Sequence, residues 1–186
     1  IYPTENMAFV AQWGDPNVTD FMLVTDVKQL KDGDKVYIVA ADDNVAMGTQ
    51  NDGNYRNYVE IAKQNNRVVI LNATPVEFTV GKVGDKFTFN DGTGFLYASS
   101  SDKNYLITKD VLDDNGKWAI TIDADGVASI ISKGANENNN LKWNNSSPRF
   151  SCYRKDKKAV SIYKRPDYSR NVSGNYATIC LPKAGQ

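Results

Sequence analysis

A hairpin written more than once, at a spacing near forty residues, constrains this chain more than any other feature. The clearest copy runs from Trp118 to Ile131, where two runs of β-formers flank Asp125-Gly126. That dipeptide tolerates the positive φ of a tight turn, so the stretch reads as two antiparallel strands. Residues Phe78 to Phe89 have the same form around Gly84-Asp85. A supersecondary unit that returns at a fixed interval marks a repeated architecture.

From Lys35 onward the chain alternates short apolar runs with clusters of Asn, Asp, Gly and Ser, the pattern of an all-β protein. Three units align. The first has strands near Lys35–Val39, Val45–Met47, Tyr58–Ile61 and Phe78–Val80. The second has Lys86–Phe89, Phe95–Ala98, Tyr105–Thr108 and Trp118–Ile122; the third has Val127–Ile131, Leu141–Trp143, Phe150–Tyr153 and Val160–Tyr163. The spacing predicts a β-trefoil-like barrel of three four-stranded repeats, closed so that no barrel edge is left unpaired. A β-sandwich is the alternative, because short strands at this spacing suit both. The first unit is longer through an insertion at Lys63–Asn72, which holds a candidate strand at Val68–Leu71. Ahead of it lie a short strand at Phe21–Val24 and one helical turn capped by Thr25-Asp26. The expected organisation is an N-terminal extension over 1–20, the domain over 21–165, and a tail or the start of a following module over 166–186.

Charge gives no direction: Lys plus Arg and Asp plus Glu are 22 each, so no net field recruits nucleic acid or membrane. No apolar run is long enough to span a bilayer. Residues 1–5 lack the basic and apolar regions of a signal peptide, which suits a mature chain or a piece of a longer one. The chain has no histidine, which excludes Ser-His-Asp and Cys-His nucleophiles and His-ligated metals. Carboxylate pairs such as Asp113 and Asp123 survive that filter, but nothing indicates their separation. No enzyme activity, metal or cofactor is expected. The two cysteines, Cys152 and Cys180, sit in apolar settings that suit buried thiols, with a mutual disulfide as the alternative.

Loops ending at Asn115-Gly116 and Asp125-Gly126 miss the ligands a calcium loop needs at its first and last positions. Gly92-Thr93-Gly94 leads into a strand, so no helix N-terminus is present to hold a phosphate. Residues 149–165 carry seven basic side chains against one acid, which charge and stacking could turn towards an acidic polymer; a solvated hairpin tip whose charges keep the turn soluble is the favoured reading. Nucleic acid is therefore not an expected partner.

Sugar binding requires a planar aromatic with amides or carboxylates beside it. Equivalent points of the three units supply that mixture: Gln50, Tyr55 and Arg56; Tyr97, Asp102 and Asn104; and Trp143, Asn145 and Arg149. The last group holds the only tryptophan of the three, and indole offers the broadest stacking face.

Phe21 through Val39, followed by Ala46-Met47-Gly48-Thr49-Gln50-Asn51, resembles the start of a module found in secreted, multidomain proteins of gut-type Gram-negative bacteria. Asn104-Tyr105-Leu106, Gly116 through Ile120, Leu141 through Asn144 and Phe150 through Lys164 are similar to its later parts. The resemblance implies export to the cell surface and an accessory or adhesive role. The function expected is therefore an exported, non-catalytic carbohydrate-binding or adhesion module whose partner is a glycan or glycosylated surface. The alternative is a protein-binding or structural module, such as a protease-inhibitor-like trefoil presenting Lys63–Asn72.

Overall fold

The computed structural model describes residues 15–167 of the chain. Their regular structure is fourteen strands and two single 3-10 turns. In chain order the strands are β1 (Val18–Leu23), β2 (Lys35–Ala40), β3 (Val45–Asn51), β4 (Tyr55–Gln64), β5 (Arg67–Ile70), β6 (Phe78–Val83) and β7 (Lys86–Asn90). There follow β8 (Phe95–Ala98), β9 (Leu106–Lys109), β10 (Trp118–Ile122), β11 (Ala128–Ser132), β12 (Asn140–Asn144), β13 (Arg149–Tyr153) and β14 (Val160–Lys164). No helix among these residues is long and apolar enough to cross a membrane.

Six strands pair in a closed ring: β2 with β6, β6 with β7, β7 with β10, β10 with β11, β11 with β14, and β14 back to β2. The ring is not a regular barrel, because its β7–β10 and β11–β14 seams are single residue pairs, Trp118 with Phe87 and Ala128 with Val160. Two of its hairpins are those the sequence repeats. β6 and β7 turn through Gly84-Asp85, with Gly84 at φ +64°, and β10 and β11 turn at Asp123–Val127, with Gly126 at φ +82°. Three further hairpins, β3–β4, β8–β9 and β12–β13, lie off the ring, and β13 joins β4 where Phe150 pairs with Arg56. The main core fills the space between ring and hairpins with Val36, Ile38, Met47, Phe78, Phe89, Leu96, Trp118 and Phe150. Trp118 is fully buried, and its indole Nε1 donates to the Leu96 carbonyl at 3.2 Å.

The inserted stretch holds the expected strand, one residue earlier than Val68–Leu71, and does not project as the loop that the protein-binding alternative needs: β4 runs on past β3, turns through Asn65-Asn66, and returns as β5 against β4 and β1. Both asparagines have positive φ, 51° and 59°, the geometry of a two-residue hairpin turn. β1 also pairs with β14, and it begins at Val18, inside the stretch read as an extension. This outer layer encloses a second core of Phe21, Tyr37, Val39, Ala46, Ile61, Val68 and Tyr163. β2 is thus buried on both faces, Val36 and Ile38 inward and Tyr37 and Val39 outward, which is why it reads as an unbroken apolar run. The expected turn follows β1 as Val27–Gln29, closed by a capping box between Asp26 and Gln29.

Cys152 is a fully buried free thiol in β13, and burial pushes its pKa up, so it packs as an inert small hydrophobe. Cys180 and the strand expected near Gly174–Pro182 lie outside the described residues.

Candidate functional site

Trp143 does not present a stacking face. It is 3% exposed, with Phe150 tilted against it at 4.9 Å and Tyr58 in a T-shaped contact at 5.3 Å between ring centroids. The reason is strand alternation: β12 continues to Asn144, so Trp143 is not a strand end free to tilt, and it shares the inward face of Leu141. Tyr97 is buried as well. Its hydroxyl donates to Asp113 Oδ2 at 2.6 Å and accepts from Asn115 Nδ2 at 3.2 Å, while the Lys109 ammonium lies 4.3 Å from the ring centroid.

Most of the other expected residues lie on or beside the off-ring hairpins, and neighbouring protein groups take up their polar atoms. Gln50 Nε2 donates to the carbonyls of Tyr55 at 3.0 Å and Leu106 at 3.2 Å. Asn104 Nδ2 donates to the Tyr153 hydroxyl at 3.2 Å, and the Asn104 carbonyl accepts from Ser151. The Arg149 guanidinium stacks 4.2 Å above the Tyr55 ring and donates to Ser147 Oγ at 2.6 Å. Arg56 is fully buried: Nε donates to the Gly48 carbonyl at 3.0 Å, and Nη1 reaches Asp91 Oδ2 and Thr108 Oγ1, each at 2.7 Å. Only Asp102 and Asn145 stand exposed, and Asp102 accepts from Ser100 Oγ. Four side chains of the basic run are held in ion pairs: Arg154 with Glu137, Lys158 with Asp43, Lys164 with Asp34 and Arg165 with Glu77.

An aromatic side chain does reach the surface nearby. Along β4, Val59 and Ile61 turn into the second core, so Tyr58 and Glu60 turn outward, leaving Tyr58 40% exposed. It packs on Trp143 in a T-shaped contact, 5.3 Å between ring centroids. The Trp143 indole Nε1 donates to Asp43 Oδ2 at 2.6 Å, and Lys158 Nζ donates to Asp43 Oδ1 at 2.7 Å. Lys158 is held in turn by two backbone hydrogen bonds to Trp143, at 3.0 and 2.9 Å. The Asp43 and Lys158 side chains are 28% and 35% exposed, so each keeps capacity for a further partner. The hydrogen bond from Lys158 holds the Asp43 carboxyl below the usual carboxylate range; partial burial opposes this, and the Trp143 N–H adds to it. Trp143 thus links an exposed tyrosine on one side to an ionised acceptor and its cationic partner on the other. Such a set can hold a ring-shaped polyol by stacking and paired hydrogen bonds; it offers no activated nucleophile. Tyr58 was legible in the alternation of β4, whereas the link from Asp43 to Trp143 spans 100 residues and leaves no local signal.

No family model and no curated protein sequence matches the chain. Solved structures do. A Polyporus squamosus lectin bound to the human-type influenza-binding epitope Neu5Acα2-6Galβ1-4GlcNAc aligns at TM-score 0.53 and 14% identity, over 73% of this chain and 50% of that one. SeviL bound to asialo-GM1 saccharide aligns at TM-score 0.50 and 11% identity, over 72% of this chain and 99% of that one. At these identities the likeness is one of fold alone, an all-β, β-trefoil-like arrangement of strands. The same trefoil-type likeness extends to the lysenin pore, with TM-score 0.52 and 12% identity over 76% of this chain and 49% of that one. The chain thus spans about half the length of lysenin and of the fungal lectin.

Proposed function

We propose that this chain is a non-catalytic carbohydrate-binding module, exported to the cell surface of a bacterium, with one glycan site on Tyr58, Asp43 and Lys158. The observation that carries the reading is Trp143, which packs against the exposed Tyr58 and, with Lys158, orients the ionised Asp43 carboxylate. A pyranose face rests on Tyr58, one of its hydroxyls donates to Asp43, and a neighbouring hydroxyl accepts from Lys158. On this reading β2-β3-β4-β6, β7-β8-β9-β10 and β11-β12-β13-β14 are the three four-stranded repeats of a trefoil. The solved lectins of similar fold support a saccharide as ligand, and the resemblance to modules of secreted bacterial proteins supports export and an accessory or adhesive role.

A non-catalytic role is supported by the lack of histidine and by the duties of the two candidate acids. Asp113 accepts from Tyr97 and from the Asn115 N–H, and Asp123 accepts from the N–H groups of Asp125 and Val127 in its own turn. The loops equivalent to the Asp43 loop are already occupied by their own contacts. Asp91, after β7, is taken by Arg56 and Thr93; after β11, Asn136 and Asn138 donate to the carbonyls of Ala98 and Ser101. One site per chain follows. A glycan array followed by calorimetric titration of the best saccharide is expected to give one bound molecule per chain. No binding to any glycan, or three equivalent sites, would contradict the reading.

A further inference from the structure

The loop that carries Asp43 lacks the internal closure its counterpart has. After β7, Asp91 Oδ1 accepts from the N–H groups of Thr93 and Gly94 and from Thr93 Oγ1, at 2.9, 3.1 and 2.7 Å. That loop is therefore closed by its own carboxylate, which has little capacity left for anything else. After β2 the arrangement differs, and Asp43 spends its oxygens on Trp143 and Lys158 instead. What closes this loop comes from outside it. Lys63 Nζ donates to the Ala40 and Ala41 carbonyls, both at 2.7 Å. Lys63 stands on the part of β4 that runs past β3 to pair with β5, where it faces Val68. The carbonyls it takes lie at the end of β2 and the start of the Asp42–Asn44 loop.

We propose that Lys63 is the positioning residue of the Tyr58–Asp43 site. By taking the two carbonyls where the chain leaves β2, it sets the path of residues 41–44 and leaves the Asp43 carboxylate available. Two further bonds complete the frame, from the Ala41 N–H to the Ala159 carbonyl at 2.9 Å and from the Ile61 N–H to the Asn44 carbonyl at 3.0 Å. The ammonium suits the task because one point charge can donate to two carbonyls at once. Burial opposes its charge, and the nearby Asp42 and Asp43 carboxylates favour it. The inserted β4–β5 strand pair thereby acquires a role: it carries the lysine that builds a site in the first unit and in neither of the others. This rests on the proposed glycan reading, but its structural core can be tested without any sugar.

The Trp143 indole N–H reports where Asp43 lies, and its resonance in a 1H–15N spectrum can be followed in the full chain. Asp43→Asn supplies the position of that resonance when the charged acceptor is lost. Lys63→Met keeps the aliphatic stem and removes the donors. It is expected to move the indole resonance towards its position in Asp43→Asn, and to weaken binding of the tightest array saccharide about tenfold. Lys63→Arg, which can still donate to both carbonyls, is expected to restore most of both. An indole resonance at its wild-type position in folded Lys63→Met would overturn the proposal, whatever the melting temperature. Should Lys63→Met not fold, Lys63→Gln takes the same readings. If no saccharide binds the wild type, or Tyr58→Ala binds as well as wild type, the glycan reading fails while the resonance still decides the role of Lys63.

Discussion

Arg56→Met is expected to destabilise the fold by about 3–5 kcal/mol, as removal of one partner from a buried ion pair does. The Arg56 side chain is 1% exposed and that of Asp91 9%, so the substitution leaves a largely buried carboxylate without its cation. Three separate elements lose a donor at once: the Gly48 carbonyl in β3, Asp91 after β7 and Thr108 in β9. The stacking of the guanidinium over Phe78, at 5.2 Å, goes with them. Acid should reproduce part of this loss in the wild type. Burial alone would raise the pKa of Asp91, but hydrogen bonds from Arg56 and Thr93 overcome it and bring the value down to about 2. A depressed carboxyl pKa contributes stability that is present above the unfolded value near 4 and is lost as pH falls towards 2. That window is worth roughly 2–3 kcal/mol. Denaturant midpoints at pH 7 and pH 3 check both statements. Arg56→Met should be far weaker at pH 7 and should lose much of the acid slope. A change below about 1 kcal/mol would remove Arg56 as the tie between these hairpins.

Trp143→Ala should also cost about 3–5 kcal/mol, the range for emptying a buried tryptophan position. The cavity would open between Phe150 and Tyr58, and Asp43 would lose the N–H that orients it. Glycan affinity should fall as well, through loss of support for Tyr58 and Asp43. Trp143→Phe separates the two effects, because it fills most of the volume but cannot donate to Asp43. Thermal denaturation with and without saccharide reads the difference. A Trp143→Ala protein that melts near the wild type while binding poorly would return Trp143 to the surface role its sequence position suggests.

The strand framework was legible because it rests on local alternation and turn chemistry. The Gly84-Asp85 and Asp125-Gly126 turns, the alternating apolar residues of β10 and β11, and the Asp26 cap are all decided within a few residues. The site was much less legible. Arg56 reads as a loop cation in a run of Asn, Asp and Gly, because its partners lie 35 and 52 residues further on. Trp143 reads as a platform because a polar loop follows it, yet one more strand residue, Asn144, keeps it in the inward register. The Lys63–Asn72 stretch reads as an insertion with a strand near Val68–Leu71, but where that strand pairs is not legible, because its partner β1 lies some fifty residues away, at Val18 to Met22. Tyr58 could have been chosen from Tyr58-Val59-Glu60-Ile61 alone, where the alternation sets it on the outward face with Glu60.

The most direct test of the glycan site is calorimetric titration of Tyr58→Ala with the tightest-binding array saccharide, alongside its melting curve. Tyr58 is 40% exposed and makes one edge contact with Trp143, so stability should fall by only about 1 kcal/mol, a few degrees in Tm. Affinity should drop tenfold or more, about 1.4 kcal/mol at least, because the ring is the stacking surface. A Tyr58→Ala protein that binds the saccharide with wild-type affinity would contradict the site.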